Sequence, residues 1–113
     1  MTNLSGKIAV VTGGSGVLGS NVSMGLLQAG ATVLIIGAHQ AKVDAALQRL
    51  SQYGEVHGMA CNVLDREEIN KAYDYVKAKW GRCDILVNAA GGNVAGANVM
   101  DDMNFFDTKE EDL

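Results

Sequence analysis

Cysteine is scarce in this chain, proline is absent, and there is no long apolar run. The two cysteines, Cys61 and Cys83, have no CxxC spacing, which excludes a cysteine metal site and a disulfide framework. The apolar run near the start, Ile8 to Val11, is too short for a signal peptide or a membrane span. A basic excess is also lacking. Lysine and arginine number 9 against 13 acids, for a net charge of −4, which argues against a nucleic-acid partner. The acids are unevenly placed: residues 101–113 hold 6 of them with 1 lysine, so residues 1–100 are near neutral. These scarcities predict a soluble, cytoplasmic protein with no metal, no nucleic acid and no membrane partner.

Glycine is the residue in excess, at 14 of 113. Hydrophobic residues at 48% and charged residues at 19% are close to globular averages, so wholesale disorder is excluded. The length fits one domain.

The pattern alternates strand and helix. Lys7 to Thr12 reads as a strand buried on both faces. A helix follows over 17–29, with Val17, Leu18, Val22, Leu26 and Ala29 as its apolar stripe and Gly30 as its left-handed stop. Thr32 to Ile36 is a second strand. Residues 40–52 form a second helix on Val43, Leu47 and Leu50, and Glu55 to Ala60 a third strand. Asp65-Arg-Glu-Glu68 has the spacing of a capping box and opens a third helix over 66–80. Asp84 to Asn88 is a fourth strand, followed by an Ala/Gly/Asn-rich loop over 89–98. This alternation predicts a doubly wound α/β fold, a parallel sheet of about four strands in the order 3-2-1-4 with helices on both faces.

Between the first strand and first helix lies Thr12-Gly-Gly-Ser-Gly-Val-Leu-Gly19, in which Gly14, Gly16 and Gly19 match GxGxxG. The chemistry requires glycine because the backbone must turn tightly and approach a pyrophosphate, which the helix N-terminus then holds through its unpaired N–H groups. A glycine-rich turn without a ligand is the competing reading. A Walker loop is excluded, since no Gly-Lys-Ser/Thr ends the segment. An acid usually stands about 20 residues on, to hold the ribose hydroxyls. Here the second strand runs into Gly37-Ala38-His39, with neither an acid nor an Arg. His39 is either a contact to that part of a cofactor or an exposed loop histidine. NAD and NADP both stay open.

Taken together, the residues resemble the short-chain dehydrogenase/reductase family. Three segments carry the resemblance: Thr12-Gly13 through Gly19, Cys61-Asn62-Val63-Leu64-Asp65 after the third strand, and Asp84-Ile-Leu-Val-Asn-Ala-Ala-Gly91. It runs from about residue 4 to the end of the chain. There are departures: Val17 stands where the commonest pattern has Gly, Asn62 where an Asp usually meets the adenine amino group, and Ala89 where an Asn is usual. An Asn can still accept a hydrogen bond through its carbonyl oxygen. Within the family, the glycine loop, Ile36-Gly37, Asn88 to Asn93 and Phe105-Phe106-Asp107 are similar to sugar-acid oxidoreductases of the D-mannonate/fructuronate type, although Val94-Ala95 replaces an expected His-Pro.

The resemblance implies a Rossmann-type fold, an NAD or NADP cofactor, and hydride transfer to or from a carbonyl or alcohol of a small-molecule substrate. It implies cofactor contacts at Gly13, Ser15, Gly16, Val17, Leu18, Gly19, Ala38, His39, Asn62, Val63, Asn88, Ala90 and Gly91. It further implies a homo-oligomer at full length. The family's catalytic Ser and Tyr-x-x-x-Lys are expected beyond Leu113, so no catalytic residue is assigned here. Tyr73 with Lys77, and Tyr75 with Lys79, match the Tyr–Lys spacing, but both pairs lie on the third helix, before the fourth strand. Ligands bind at the strands' C-terminal ends, away from the body of a flanking helix.

Residues 1–113 therefore read as one dinucleotide-binding region, incomplete at its C-terminus. Thr108-Lys-Glu-Glu111 is a second capping box that predicts a helix from 109 onward. The alternative is a freestanding dinucleotide-binding module or pseudoenzyme without turnover. A sheet ending on Ile85-Leu-Val87 would present a bare apolar edge, which predicts self-association or poor solubility.

Overall fold

The computed structural model describes residues 3–89 and the backbone of Ala97–Val99. The order of elements is β1 (Ile8–Thr12), α1 (Val17–Gln28), β2 (Thr32–Gly37), α2 (Gln40–Leu50), β3 (Val56–Ala60), α3 (Arg66–Lys79), β4 (Ile85–Asn88) and β5 (Ala97–Val99). They form one sheet in the order β3-β2-β1-β4-β5. The first four strands are parallel, with Val10 opposite Leu34 on one side and Leu86 on the other. This is the doubly wound Rossmann-type architecture that the alternation predicts.

The two-residue period of each strand divides the core between two faces. Ala9, Val11, Val33, Ile35 and Val87 pack under α1 and α2, through Leu27, Val43, Ala46 and Leu50. Val10, Leu34, Ile36 and Cys61 pack under α3, through Ile69, Ala72 and Val76. Burying each such Val, Leu or Ile side chain contributes about 1.5–3 kcal/mol relative to exposure. The chain leaves β1 over one face and reaches β4 over the other, so the strand order reverses at β1. The C-terminal ends of β1 and β4 then flank the crevice where a doubly wound sheet binds its ligand.

Both ends of the β1–β4 pair are tied by side chains. At the N-terminal end, the Asp84 carboxylate accepts from the Ile8 amide at 2.8 Å and from Arg82 Nε at 3.0 Å, and Arg82 also donates to the Gly6 carbonyl. At the C-terminal end, the Thr12 hydroxyl donates to Asn88 Oδ1 at 3.0 Å.

Gly30 ends α1 as expected. At φ +103° it occupies the left-handed region, donating to Leu27 O while Ala31 donates to Leu26 O, the paired bonds of a Schellman motif.

Three expectations are corrected. α1 buries Gly19, Ser23 and Leu27, whereas Val17 is 84% and Leu18 47% exposed. Small residues win the buried face because the start of this helix lies against the glycine loop. α2 stops at Leu50 and continues as a 3-10 turn, Ser51–Tyr53. Finally, the sheet does not end at β4: β5 pairs antiparallel with it, setting Ile85 opposite Val99. Three residues in an Ala/Gly/Asn-rich stretch are too few to display a strand period. With β5 in place, β4 offers no open edge to a second copy.

Ala90 and Gly91, the adjoining Gly92 and Asn93, Phe105-Phe106 and the capping box at Thr108–Glu111 lie outside the described residues.

Candidate functional site

The glycine loop is held by its backbone. Gly13 N and Gly14 N both donate to Ile36 O, at 2.7 and 3.2 Å, and Gly16 N donates to Gly13 O at 3.1 Å. Ser20 Oγ donates to Gly14 O at 3.0 Å, and Ser23 Oγ to Gly19 O at 2.8 Å. Gly16 then caps α1 with extended backbone, no side chain satisfies the cap, and the first turn holds no acid. The first N–H groups of any helix have no partner within it, so this terminus can receive an anion.

The three glycines of the motif have different reasons to be glycine. A Cβ on Gly14 would stand 2.6 Å from Ile35 Cβ, and one on Gly19 would stand 2.1 Å from Gly13 O. Both positions are closed by the protein itself. A Cβ on Gly16 would meet only Gly13 O, at 3.5 Å, an ordinary contact. Gly16 has φ −80°, which any residue adopts. The fold alone does not require glycine there; a ligand backed against the loop would.

Gly16 lines an open cavity of about 380 Å³ together with Gly13, Ser15, Val17, Leu18, Gly19 and His39. Seven of the residues singled out from sequence thus converge on one space. Val17 and Leu18 are exposed here as its walls, which explains their absence from the buried stripe of α1. Lys42 and Ala89 also line the cavity, and both escaped the sequence reading. Lys42 lies in the first turn of a helix whose apolar stripe draws attention away from it, and Ala89 has no chemistry to signal it. Among the described residues no carboxylate belongs to the lining.

The remaining candidates lie around this cavity. Ala38 is exposed beside His39 but does not line the cavity. Asn62 is exposed at the C-terminal side of β3. Its amide donates to Glu68 Oε1 at 2.7 Å, and its Oδ1 accepts from Leu64 N at 3.0 Å. One lone pair of that oxygen is therefore engaged and one remains for a donor. The capping box forms in a modified way. Asp65 Oδ1 accepts from the amides of Glu67 and Glu68, but the returning arm of Glu68 reaches Asn62 and not Asp65.

Val63 and Asn88 line a second cavity of about 230 Å³, between α3 and the outer halves of β1 and β4, with Thr12, Tyr73 and Leu86. Cys61, buried at the start of the same loop, has its thiol pKa raised by burial first and then by the nearby charges of Glu68 and Asp65. It is a core residue and not a reactive thiol.

Neither Tyr–Lys pair of α3 reaches the glycine loop. Tyr75 packs edge-on against Trp80 at 5.9 Å, and Lys79 Nζ stands 5.8 Å from the same ring. Tyr73 is half-buried on the second cavity and Lys77 is exposed. Among the described residues no group of His, Cys, Asp and Glu could hold a metal ion, and no helix is long and apolar enough to cross a membrane.

The short chain dehydrogenase family model matches residues 7–110. The chain is 39% identical over 95 residues to an uncharacterized oxidoreductase, UxuB, of Bacillus subtilis, covering 80% of this chain and 33% of that protein. It is 37% identical over 90 residues to the 3-oxoacyl-[acyl-carrier-protein] reductase FabG of Aquifex aeolicus, covering 78% of this chain and 36% of that one. Among solved structures, Pseudomonas aeruginosa RhlG in an NADP active-site complex superposes with a TM-score of 0.72 at 34% identity, over 76% of this chain and 35% of that one. The chain thus spans about a third of the length of these relatives.

Proposed function

The chain belongs to the short-chain dehydrogenase family, and from that premise we propose that it is the cofactor-binding part of an NAD(P)-dependent oxidoreductase. The observation that carries this reading is Gly16, a glycine the fold does not need, on a cavity at an uncapped helix start. When bound, the nicotinamide would accept or give hydride at C4, against a carbonyl or alcohol carbon of the substrate. The chain's own part is to bind and orient. Gly13 and Ser15 to Gly19 would hold the pyrophosphate through backbone N–H groups and the positive end of α1. Ala38 and His39 would border the adenosine ribose. Asn62 and Val63 would border the adenine, with Asn62 fixed from behind by Glu68. Asn88, tied to Thr12, would flank the crevice, and Ala90 and Gly91, outside the described residues, are proposed as further cofactor contacts on the resemblance alone.

Proton transfer would fall to a Ser and a Tyr–Lys pair that are not among these 113 residues. The proposed substrate is a sugar acid of the D-mannonate/fructuronate type, on the likeness of the glycine loop, Ile36-Gly37 and Asn88–Asn93, and the proposed working state at full length is a homo-oligomer.

Titration of the protein with NADH and NADPH, read by nucleotide fluorescence and by calorimetry, tests the binding reading. Saturable binding at one site per chain, displaced by ADP-ribose, is the expected result. Absence of saturable binding of either nucleotide contradicts it. For the substrate, turnover of D-fructuronate by the full-length protein, and none of a 3-oxoacyl thioester, is the expected pair of outcomes.

A further inference from the structure

We infer that Glu68 is a positioning residue: its bond to the Asn62 backbone holds the Asn62 side chain with one acceptor facing outward, which makes the site favour adenine over hypoxanthine in a bound dinucleotide. The inference rests on the reading above, in which Asn62 borders the base.

The start of α3 shows why Glu68 is available for this. In a capping box the glutamate returns to the backbone N–H of the capping residue. Here that N–H, on Asp65, already donates to Asn62 O at 2.9 Å. The half-buried Glu68 carboxylate reaches further back and accepts from Asn62 N at 2.7 Å. Asp65 Oδ1 accepts in turn from the amides of Glu67 and Glu68, so the loop and the first turn of α3 hold each other in both directions. Cys61 N donates to Gly37 O at 2.8 Å, which ties the start of the loop to the end of β2. The same carboxylate helps to raise the Cys61 thiol pKa, second to burial, as expected of a charge lying close under the loop.

These bonds leave Asn62 little freedom. Its backbone N–H and C=O are both engaged, and its Oδ1 accepts from Leu64 N at 3.0 Å. Reversing the side-chain amide would set its NH2 against the Leu64 N–H, donor against donor, so the oxygen keeps its place. One lone pair of that oxygen remains, on an exposed side chain at the C-terminal side of β3, the side on which a doubly wound sheet binds its ligand. Adenine brings an amino donor that the lone pair can accept. Hypoxanthine brings a carbonyl oxygen to the same place, and two acceptors would then face each other. Glu68 touches no ligand in this arrangement and acts through Asn62.

The test compares Kd for NADH and for reduced nicotinamide hypoxanthine dinucleotide in the wild type, Glu68→Ala, Glu68→Gln and Asn62→Ala. NADH is expected to bind the wild type about fivefold tighter or better than its analogue, the equivalent of one neutral hydrogen bond. Glu68→Ala should remove most of that preference. Glu68→Gln, whose amide oxygen can still accept from Asn62 N, should keep it. Asn62→Ala, at an exposed position that leaves the fold intact, should lose the preference outright. A wild type without preference overturns the inference and leaves the dinucleotide reading standing. So does a Glu68→Ala loss shared equally by both nucleotides, the mark of a merely structural role, or a preference that survives in Asn62→Ala or vanishes in Glu68→Gln. Failure of both nucleotides to bind the wild type overturns the two readings together.

Discussion

The α-carbon of Gly19 lies so close to Gly13 that a Cβ added to it would stand 2.1 Å from the Gly13 carbonyl oxygen. The helix that follows the phosphate loop is thus pressed directly onto the turn that precedes it. The atoms a Cβ would meet are backbone, which cannot swing aside. Gly19→Ala should therefore cost about 1–3 kcal/mol of stability, the usual penalty for overpacking. Urea unfolding of the variant beside the wild type measures it, and an unchanged midpoint would contradict the close approach.

Asp84 supports a prediction that its place in the sequence motif does not suggest. Its carboxylate joins the Ile8 amide and Arg82 at the N-terminal end of the β1–β4 pair, and the side chain is 21% exposed. Asp84→Ala should destabilise by about 1.5–3 kcal/mol, the range for a hydrogen bond to a charged group. Arg82 is 45% exposed, so Arg82→Ala should cost less. Equal losses in the two variants would show that the ion pair, and not the bond to the strand, is what matters.

Cys61 predicts an alkaline limb. Its pKa is raised in the native state, by burial and by Glu68 and Asp65, so the native thiol resists ionising more than the unfolded one. Its contribution to stability is complete below the unfolded thiol's pKa and is lost as pH rises through the native one. Unfolding midpoints measured from about pH 7 to about pH 10 should fall more for the wild type than for Cys61→Ala. Parallel slopes would remove this role from Cys61.

How much of this was legible in the sequence depended on the range of the signal. The buried strands announced themselves through β-branched runs, and Gly30 through its place after an apolar stripe. Six residues of the loop cavity followed from one motif in a strand–turn–helix setting, and His39 from its place after the second strand. The rest needed three dimensions. The buried face of α1 is Gly19, Ser23 and Leu27, because contact with Gly13 rewards small size, which a hydrophobic stripe cannot express. Lys42 enters the site only through the placement of α2 beside the loop. Glu68 has capping-box spacing, yet its carboxylate goes to Asn62, a choice set by how β3 leads into α3. The pairing of β5 with β4 rests on backbone bonds that carry no side-chain pattern over three residues.

The most direct test of the dinucleotide site is a paired measurement on Gly16→Ala. The added methyl has room in the protein and a compatible backbone angle, so the thermal midpoint should match the wild type within the ±0.5 kcal/mol typical of an innocuous surface change. Affinity for NADH and NADPH, titrated on the same sample, should fall about tenfold or more, because the methyl would stand where the proposed pyrophosphate approaches. A stable variant with weakened binding is the predicted result. A stable variant that binds both nucleotides as well as the wild type would contradict the site.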